Sequence, residues 1–144
     1  MKYLAIDYGQ KRAGIAVSDA GGSMAFARTT LDAAPEDIFF RKLLALIAEE
    51  NPDALVLGLP LNMDNQETKG SLRARAFAGR LNGRAGLPVF LVNEALTSFA
   101  AEEELKEAGL SPKKRAALLD QQAAVHILQT FLNTPPQKQE KYEP

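Results

Sequence analysis

The sequence predicts one α/β domain built on a mixed five-stranded sheet with helices on both faces, and three observations carry that expectation. Three short apolar runs separated by Gly-containing turns open the chain, strand-like and helical patterns then alternate, and apolar residues at helical spacing close it. Its 144 residues and 46% hydrophobic content suit a single core, because a chain of this length buries roughly two thirds of its unfolded surface.

The opening runs, at about 3–7, 13–18 and 24–30, read as a three-stranded antiparallel meander with Gly21-Gly22-Ser23 in one turn. From 36 to 50 the residues Phe39, Phe40, Leu43, Leu44 and Ile47 recur at helical spacing, and Asn51-Pro52 is the stop. A continuous buried-strand pattern runs over 54–59, a helix-compatible segment over 71–81 and another strand over 88–92. Thr97 or Ser98 is an N-cap for a helix to about Lys106, and Gly109 lies just past its end. Ser111-Pro112 starts a final helix bearing Leu118, Leu119, Ile127, Leu128 and Phe131, which ends near Asn133 because Pro135-Pro136 follows. Residues 135–144 are polar and proline-bearing, so a disordered tail is expected after a domain of residues 1–134. With the first strand central and strands four and five parallel to it, Asp7, Gly58-Leu59-Pro60 and Asn93-Glu94 emerge at one carboxyl edge of the sheet, where open α/β sheets bind ligands.

Composition excludes several classes of function. There is no cysteine, which removes disulfides and thiolate metal centres and leaves oxygen-ligated metals open. No apolar stretch approaches the ~20 residues of a membrane span. The N-terminus enters a strand pattern with no signal-peptide core, so a soluble, cytoplasmic protein without a membrane partner is expected. A net charge of −1 argues against coating nucleic acid by bulk positive charge but leaves room for a local basic groove. Lys11-Arg12, the series Arg73, Arg75, Arg80, Arg84, and Lys113-Lys114-Arg115 are the cationic clusters; Glu102-Glu103-Glu104 is acidic. Each of these clusters also has a plain reading as a solvated helical or turn face.

Asp7 ends the apolar run Leu4-Ala5-Ile6 and precedes a turn. An ionised carboxylate at the end of a core strand is costly to bury without a cation, donors or water. Two readings stand for it, a metal ligand and a turn-capping Asp. Glu94 follows Val89-Phe90-Leu91-Val92-Asn93 and occupies the same kind of place. Asp120 lies on the last helix with Ala116, Ala117, Ala123, Ala124 and Ile127 around it, so it faces inward on a small apolar surface that lets the helix approach the sheet. Three carboxylates converging there repel one another unless a dication or proton compensates, and Mg²⁺ or Mn²⁺ suits such oxygen donors. Two ions roughly 4 Å apart support in-line hydrolysis of a phosphodiester.

Four ordered segments resemble the YqgF/RuvX family. They are Asp7-Tyr8-Gly9-Gln10-Lys11-Arg12-Ala13-Gly14-Ile15-Ala16-Val17-Ser18-Asp19; Gly58-Leu59-Pro60-Leu61-Asn62-Met63-Asp64; Asn93-Glu94-Ala95-Leu96-Thr97-Ser98 with Ala101-Glu102; and Lys113-Lys114-Arg115 with Asp120-Gln121-Gln122-Ala123-Ala124-Val125-His126-Ile127-Leu128-Gln129. The resemblance covers about residues 1–133. It implies an RNase H-like fold and a hydrolase cutting phosphodiester bonds in structured nucleic acid. The activity it implies is 5′-end maturation of pre-16S rRNA in ribosome biogenesis, with Holliday-junction resolution on DNA as the alternative. It carries the family's acidic residues onto Asp7 as central metal ligand, Glu94 as ligand or water orienter and Asp120 as second-metal ligand. Where the family reads Asp-Glu-Arg this chain has Asn93-Glu94-Ala95, so one carboxylate and one guanidinium are absent.

Lys11 and Arg12 beside Asp7, and Lys113, Lys114 and Arg115 two turns before Asp120, are the candidate phosphate contacts. Asn62, Asp64 and Glu67 lie on a polar loop that is either a flap or a surface connection. His126, the only histidine, is rotated about 240° from Asp120 around the helix, off the acidic face. Tyr8 and Phe90 read as core or site wall, because aromatics are not interleaved with basic residues. Two other classes compete with a nuclease. One is a nucleotide-phosphate module of the actin and sugar-kinase type, which needs a second lobe. The other is a non-catalytic RNA-binding assembly factor. Monomer and homodimer both remain open.

Overall fold

A computed structural model describes residues 1–61, 64, 66–95 and 108–144. The helix expected from Thr97 or Ser98 to Lys106, and Asn62 of the polar loop, lie outside the described residues.

The meander forms as β1 (Tyr3–Tyr8), β2 (Arg12–Ser18) and β3 (Ala25–Asp32). Helix α1 (Glu36–Glu50) follows, with Glu36 and Asp37 in the first turn, where carboxylates favour the helix dipole. It ends at Asn51, which takes the left-handed conformation (φ 49°) and donates its N–H to the Ile47 carbonyl, as the Asn-Pro stop predicts. Strand β4 (Ala54–Leu61) leads to α2 (Lys69–Ala85). This helix starts earlier than its apolar spacing indicates because Thr68 and Ser71 form a reciprocal capping box. Strand β5 (Val89–Ala95) precedes α3 (Pro112–Leu132), whose N-cap Ser111 accepts from the Lys114 N–H. A short 3₁₀ turn (Pro136–Lys138) and strand β6 (Glu140–Lys141) close the chain.

The sheet order is β3-β2-β1-β4-β5-β6, with β1 and β2 antiparallel and β4 parallel to both β1 and β5. Among the described residues the sheet therefore has six strands and not the five expected. The sixth is made by residues 140–141, inside the segment expected to be a disordered tail. It pairs antiparallel with β5, Phe90 opposite Lys141 and Leu91 opposite Glu140. The Tyr142 N–H donates to the Val89 carbonyl at 2.7 Å, and the Tyr142 ring packs on the core. Local composition did not signal this because the order comes from the unpaired edge of β5, a long-range partner that a polar, proline-bearing stretch does not announce.

The two faces differ in side-chain size. One carries Leu4, Ile6, Ile15, Leu55, Leu57 and Leu59 under the Phe39, Leu43 and Phe77 side chains of α1 and α2. The other is lined by Ala5, Ala16, Val56 and Val92 beneath Ala124, Ile127, Leu128 and Phe131 of α3. Small residues on that second face let α3 lie close to the strands. No helix among the described residues is long and apolar enough to cross a membrane.

Tyr142→Ala removes the ring that secures β6, and we expect a loss of about 1–2 kcal/mol in urea unfolding. A variant that matches the parent would show that the C-terminal strand contributes nothing to the core.

Candidate functional site

Strand alternation puts Asp7 on the α3 face of the sheet, because its neighbours Ile6 and Tyr8 belong to the opposite core. Glu94 shares that face two residues beyond Val92. The pairings Ile6 with Leu57 and Pro60 with Glu94 bring Asp7 and Glu94 to the same carboxyl edge of the parallel strands. This is the placement the strand pattern predicts.

Asp120 arrives there through close backbone approach. Gly14 is the direct partner of Asp7 in the β1–β2 ladder. A Cβ on Gly14 would stand 1.9 Å from the Asp120 carbonyl oxygen, so only a glycine leaves room for the helix at this height. Gly58 does the same on β4, where a Cβ would stand 2.4 Å from Cδ1 of Ile127. Hydrogen bonds fix the approach: Thr30 Oγ1 donates to the Ala117 carbonyl at 2.8 Å, and Gln121 Nε2 donates to Thr30 Oγ1 at 3.1 Å. The alanines around Asp120 pointed to this approach, but the glycines under them were not singled out. A lone Gly inside a strand pattern is the signal that would have found them.

The charges of the three acids act on one another. Burial first, then Asp120 and then Glu94, raise the Asp7 pKa to about 6. Glu94 is also pushed up by burial, an effect that nearby His126 opposes. His126 Nε2 stands 3.7 Å from Glu94 Oε2, a neighbour that its rotation away from Asp120 did not point to. The helix rotation did take it off the Asp120 face. The flank it occupies faces the end of β5, because α3 packs across β2, β1, β4 and β5 in turn.

Among the candidate phosphate contacts, Lys11, Lys113 and Lys114 are exposed. Arg115 donates to the Leu110 carbonyl at 2.8 Å, just before the helix. Arg12 points along the α3 face, and its Nε donates to Asp120 Oδ2 at 2.7 Å. The turn between Asp7 and Arg12 has a further brace. Arg73 of α2 donates from Nη2 to the Gly9 carbonyl at 3.1 Å and lies over the Tyr8 ring, which itself stacks on Phe77 with centroids 4.0 Å apart. Arg73 appeared in the sequence only as one cation of a helical series. On the polar loop, Glu67 pairs with Arg75 and bridges to Leu61. Phe90, near the start of β5, packs against Phe131 in the core under α3.

Hard dications take oxygen ligands, and Asp7, Glu94 and Asp120 offer only such donors. The raised pKa of Asp7 marks a place where negative charge is under-compensated, so the donor chemistry fits a divalent ion. Among the described residues no group of three or more His, Asp or Glu side chains is arranged to hold a metal ion. Asp120 is turned to Arg12 and Glu94 lies toward His126. The trio is thus an electrostatic cluster whose side chains must reorient to share one cation.

Comparison with known proteins gives a consistent result. The family model described as "RuvX: Holliday junction resolvase" matches residues 1–134. A protein of Oleidesulfovibrio alaskensis named "Putative pre-16S rRNA nuclease" is 53% identical over 135 residues, covering 94% of each chain. A protein of the same name from Methylobacillus flagellatus is 41% identical over 130 residues, covering 90% of this chain and 89% of its own. Among solved structures, Thermus thermophilus RuvC in complex with Holliday junction substrate superposes with a TM-score of 0.62 at 16% identity, over 98% of this chain and 99% of that one. This last likeness is one of fold.

Gly14→Ala is expected to cost at least about 2 kcal/mol in chemical unfolding, since the new methyl meets backbone and not a flexible side chain. Asp7→Asn works in the opposite direction in metal-free protein. A carboxyl whose folded pKa is raised from 3.8 to about 6 favours the fold while protonated and loses that contribution as pH rises through 6. The amide should therefore be more stable than the parent at pH 8, by about 3 kcal/mol, and equal to it near pH 3. Thermal unfolding across pH 3–8 in EDTA reads both limits.

Proposed function

The chain belongs to the RuvX family, and from that premise we propose that it is a divalent-metal-dependent nuclease for structured nucleic acid, with 5′-end maturation of pre-16S rRNA as its task. The observation that carries the chemical part is Asp7, half-buried at the end of a core strand and raised to about 6 by burial and by two other carboxylates. A fold that gathers three carboxylates at the ligand-binding edge of its sheet, the most strongly shifted of them half-buried, is suited to receive a cation there.

In this reading Asp7, Glu94 and Asp120 would hold Mg²⁺ or Mn²⁺, with Asp7 as the central ligand, Glu94 as a ligand or water orienter and Asp120 as the ligand of a second ion. A bound dication supplies charge neutralisation for the attacking and leaving oxygens of the phosphodiester. Asp7 is set on a rigid strand whose turn is clamped by Arg73 at the Gly9 carbonyl, so its carboxyl is positioned before substrate arrives. Glu94 keeps its carboxyl in a half-buried place where its raised pKa holds a proton longer than an exposed glutamate does. Lys11 and Arg12, with Lys113, Lys114 and Arg115 across the site, supply cations for the phosphate backbone and fix its register without reading sequence.

The family description favours a second substrate, a four-way DNA junction, for the same catalytic centre. Asn93 and Ala95 favour a third outcome, binding without cleavage, because the carboxylate and guanidinium the family pattern places there are absent.

Cleavage of a pre-16S rRNA fragment and of a four-way DNA junction, each with Mg²⁺, Mn²⁺ or EDTA, separates these. We expect RNA cleavage that requires the metal and falls at least about a hundredfold in Asp7→Asn. Junction cleavage alone would move the assignment to DNA. Tight binding with no cleavage of either would remove the enzyme assignment.

A further inference from the structure

Two demands meet on Arg12. It lies at the start of β2, and its backbone carbonyl accepts the Gly9 N–H at 3.0 Å, which fixes the tight turn after Asp7. Its side chain runs along the α3 face and meets Asp120 Oδ2 at 2.7 Å, in a pair with side-chain exposures of 36% and 22%. A guanidinium so placed satisfies one of the three acids with a covalently attached cation. It also stands where a phosphate approaching Asp7 would look for positive charge.

We propose that Arg12 is contested between Asp120 and a phosphate of the nucleic acid, so that binding of substrate releases Asp120 to a divalent cation and binding of the cation releases Arg12 to substrate. The proposal rests on the functional reading above for the identity of the two ligands. Its own content is the coupling between them.

The physical argument is competition for the same atoms. Asp120 can give its carboxylate oxygens to the guanidinium or to a dication, and a dication close to Arg12 repels it. Arg12 keeps spare N–H donors while bound to Asp120, but its charge is already largely spent on that carboxylate, so a phosphate gains most once the pair opens. Each ligand removes the other's competitor, and linkage makes the effect equal in both directions. The pair also accounts for the arrangement seen at the site, with three acids near one another and no three of the described side chains arranged on a common metal position. The cluster is held apart by its own arginine.

The test compares wild type, Arg12→Gln, Arg12→Lys and Lys11→Gln. Mn²⁺ binding to the protein alone is followed by electron paramagnetic resonance of free Mn²⁺. Arg12→Gln should bind Mn²⁺ about tenfold tighter than wild type, with Arg12→Lys between them. Lys11→Gln removes the same unit charge from an exposed neighbour and should stay within about twofold of wild type. Binding of a fluorescent RNA hairpin in EDTA is then measured against salt. Arg12→Gln should bind more weakly, with the slope of log K against log salt reduced by about one.

An arginine that merely pins α3 to β2 would lower the melting temperature and leave Mn²⁺ affinity unchanged, which overturns the proposal. An equal gain in Lys11→Gln overturns it too, since bulk charge would then suffice. If wild type binds Mn²⁺, Asp7→Asn does not and Arg12→Gln equals wild type, the coupling falls and the functional reading stands. If wild type binds no Mn²⁺, both fall.

Discussion

Helix α3 and strand β2 meet backbone to backbone at Gly14, and the acidic site exists because of that contact. The space a Cβ would fill is taken by the Asp120 carbonyl. Gly14 is at the same time the ladder partner of Asp7, so one residue sets the height of the helix and the lateral distance to the first acid. The Thr30 and Gln121 hydrogen bonds hold the helix in register there, and Gly58 repeats the arrangement for Ile127 closer to Glu94. The thin face of the sheet, built from alanines, glycines and valines, therefore serves geometry more than burial. The thick face, with its leucines and phenylalanines, supplies the larger apolar core.

That geometry creates an electrostatic problem which the chain meets with one guanidinium, a neighbouring imidazole and a shifted proton. Asp7 carries the clearest burden, because burial and both other acids act on it. Asp120 is answered by Arg12, and Glu94 by the nearby imidazole of His126. These neighbouring groups balance part of the charge that the fold gathers at this edge.

Much of the fold was legible in local pattern. The meander, α1 with its Asn-Pro stop, the two parallel strands and α3 all follow from period and punctuation, and their order placed Asp7 and Glu94 on a common edge. The start of α2 was missed because its signal lies in the polar pair Thr68 and Ser71 and not in apolar spacing. Strand β6 was missed because two residues of polar sequence acquire order only from the β5 edge and from the seat of Tyr142. The place of His126 beside Glu94 was not legible because a helical wheel gives rotation about the axis but not the angle at which the helix crosses the sheet.

Sequence alone determined the element types, the acid-bearing positions and the need for some compensation of Asp7. These follow from short-range periodicity and from the cost of burying charge, which depend on residue type and neighbours along the chain. Tertiary structure decided which cation answers which acid, that Arg73 braces the turn and that the sheet gains a sixth strand. Those outcomes depend on distances of a few ångströms between residues far apart in the chain. Such distances are set by helix crossing and by two missing Cβ atoms, and no local pattern encodes them.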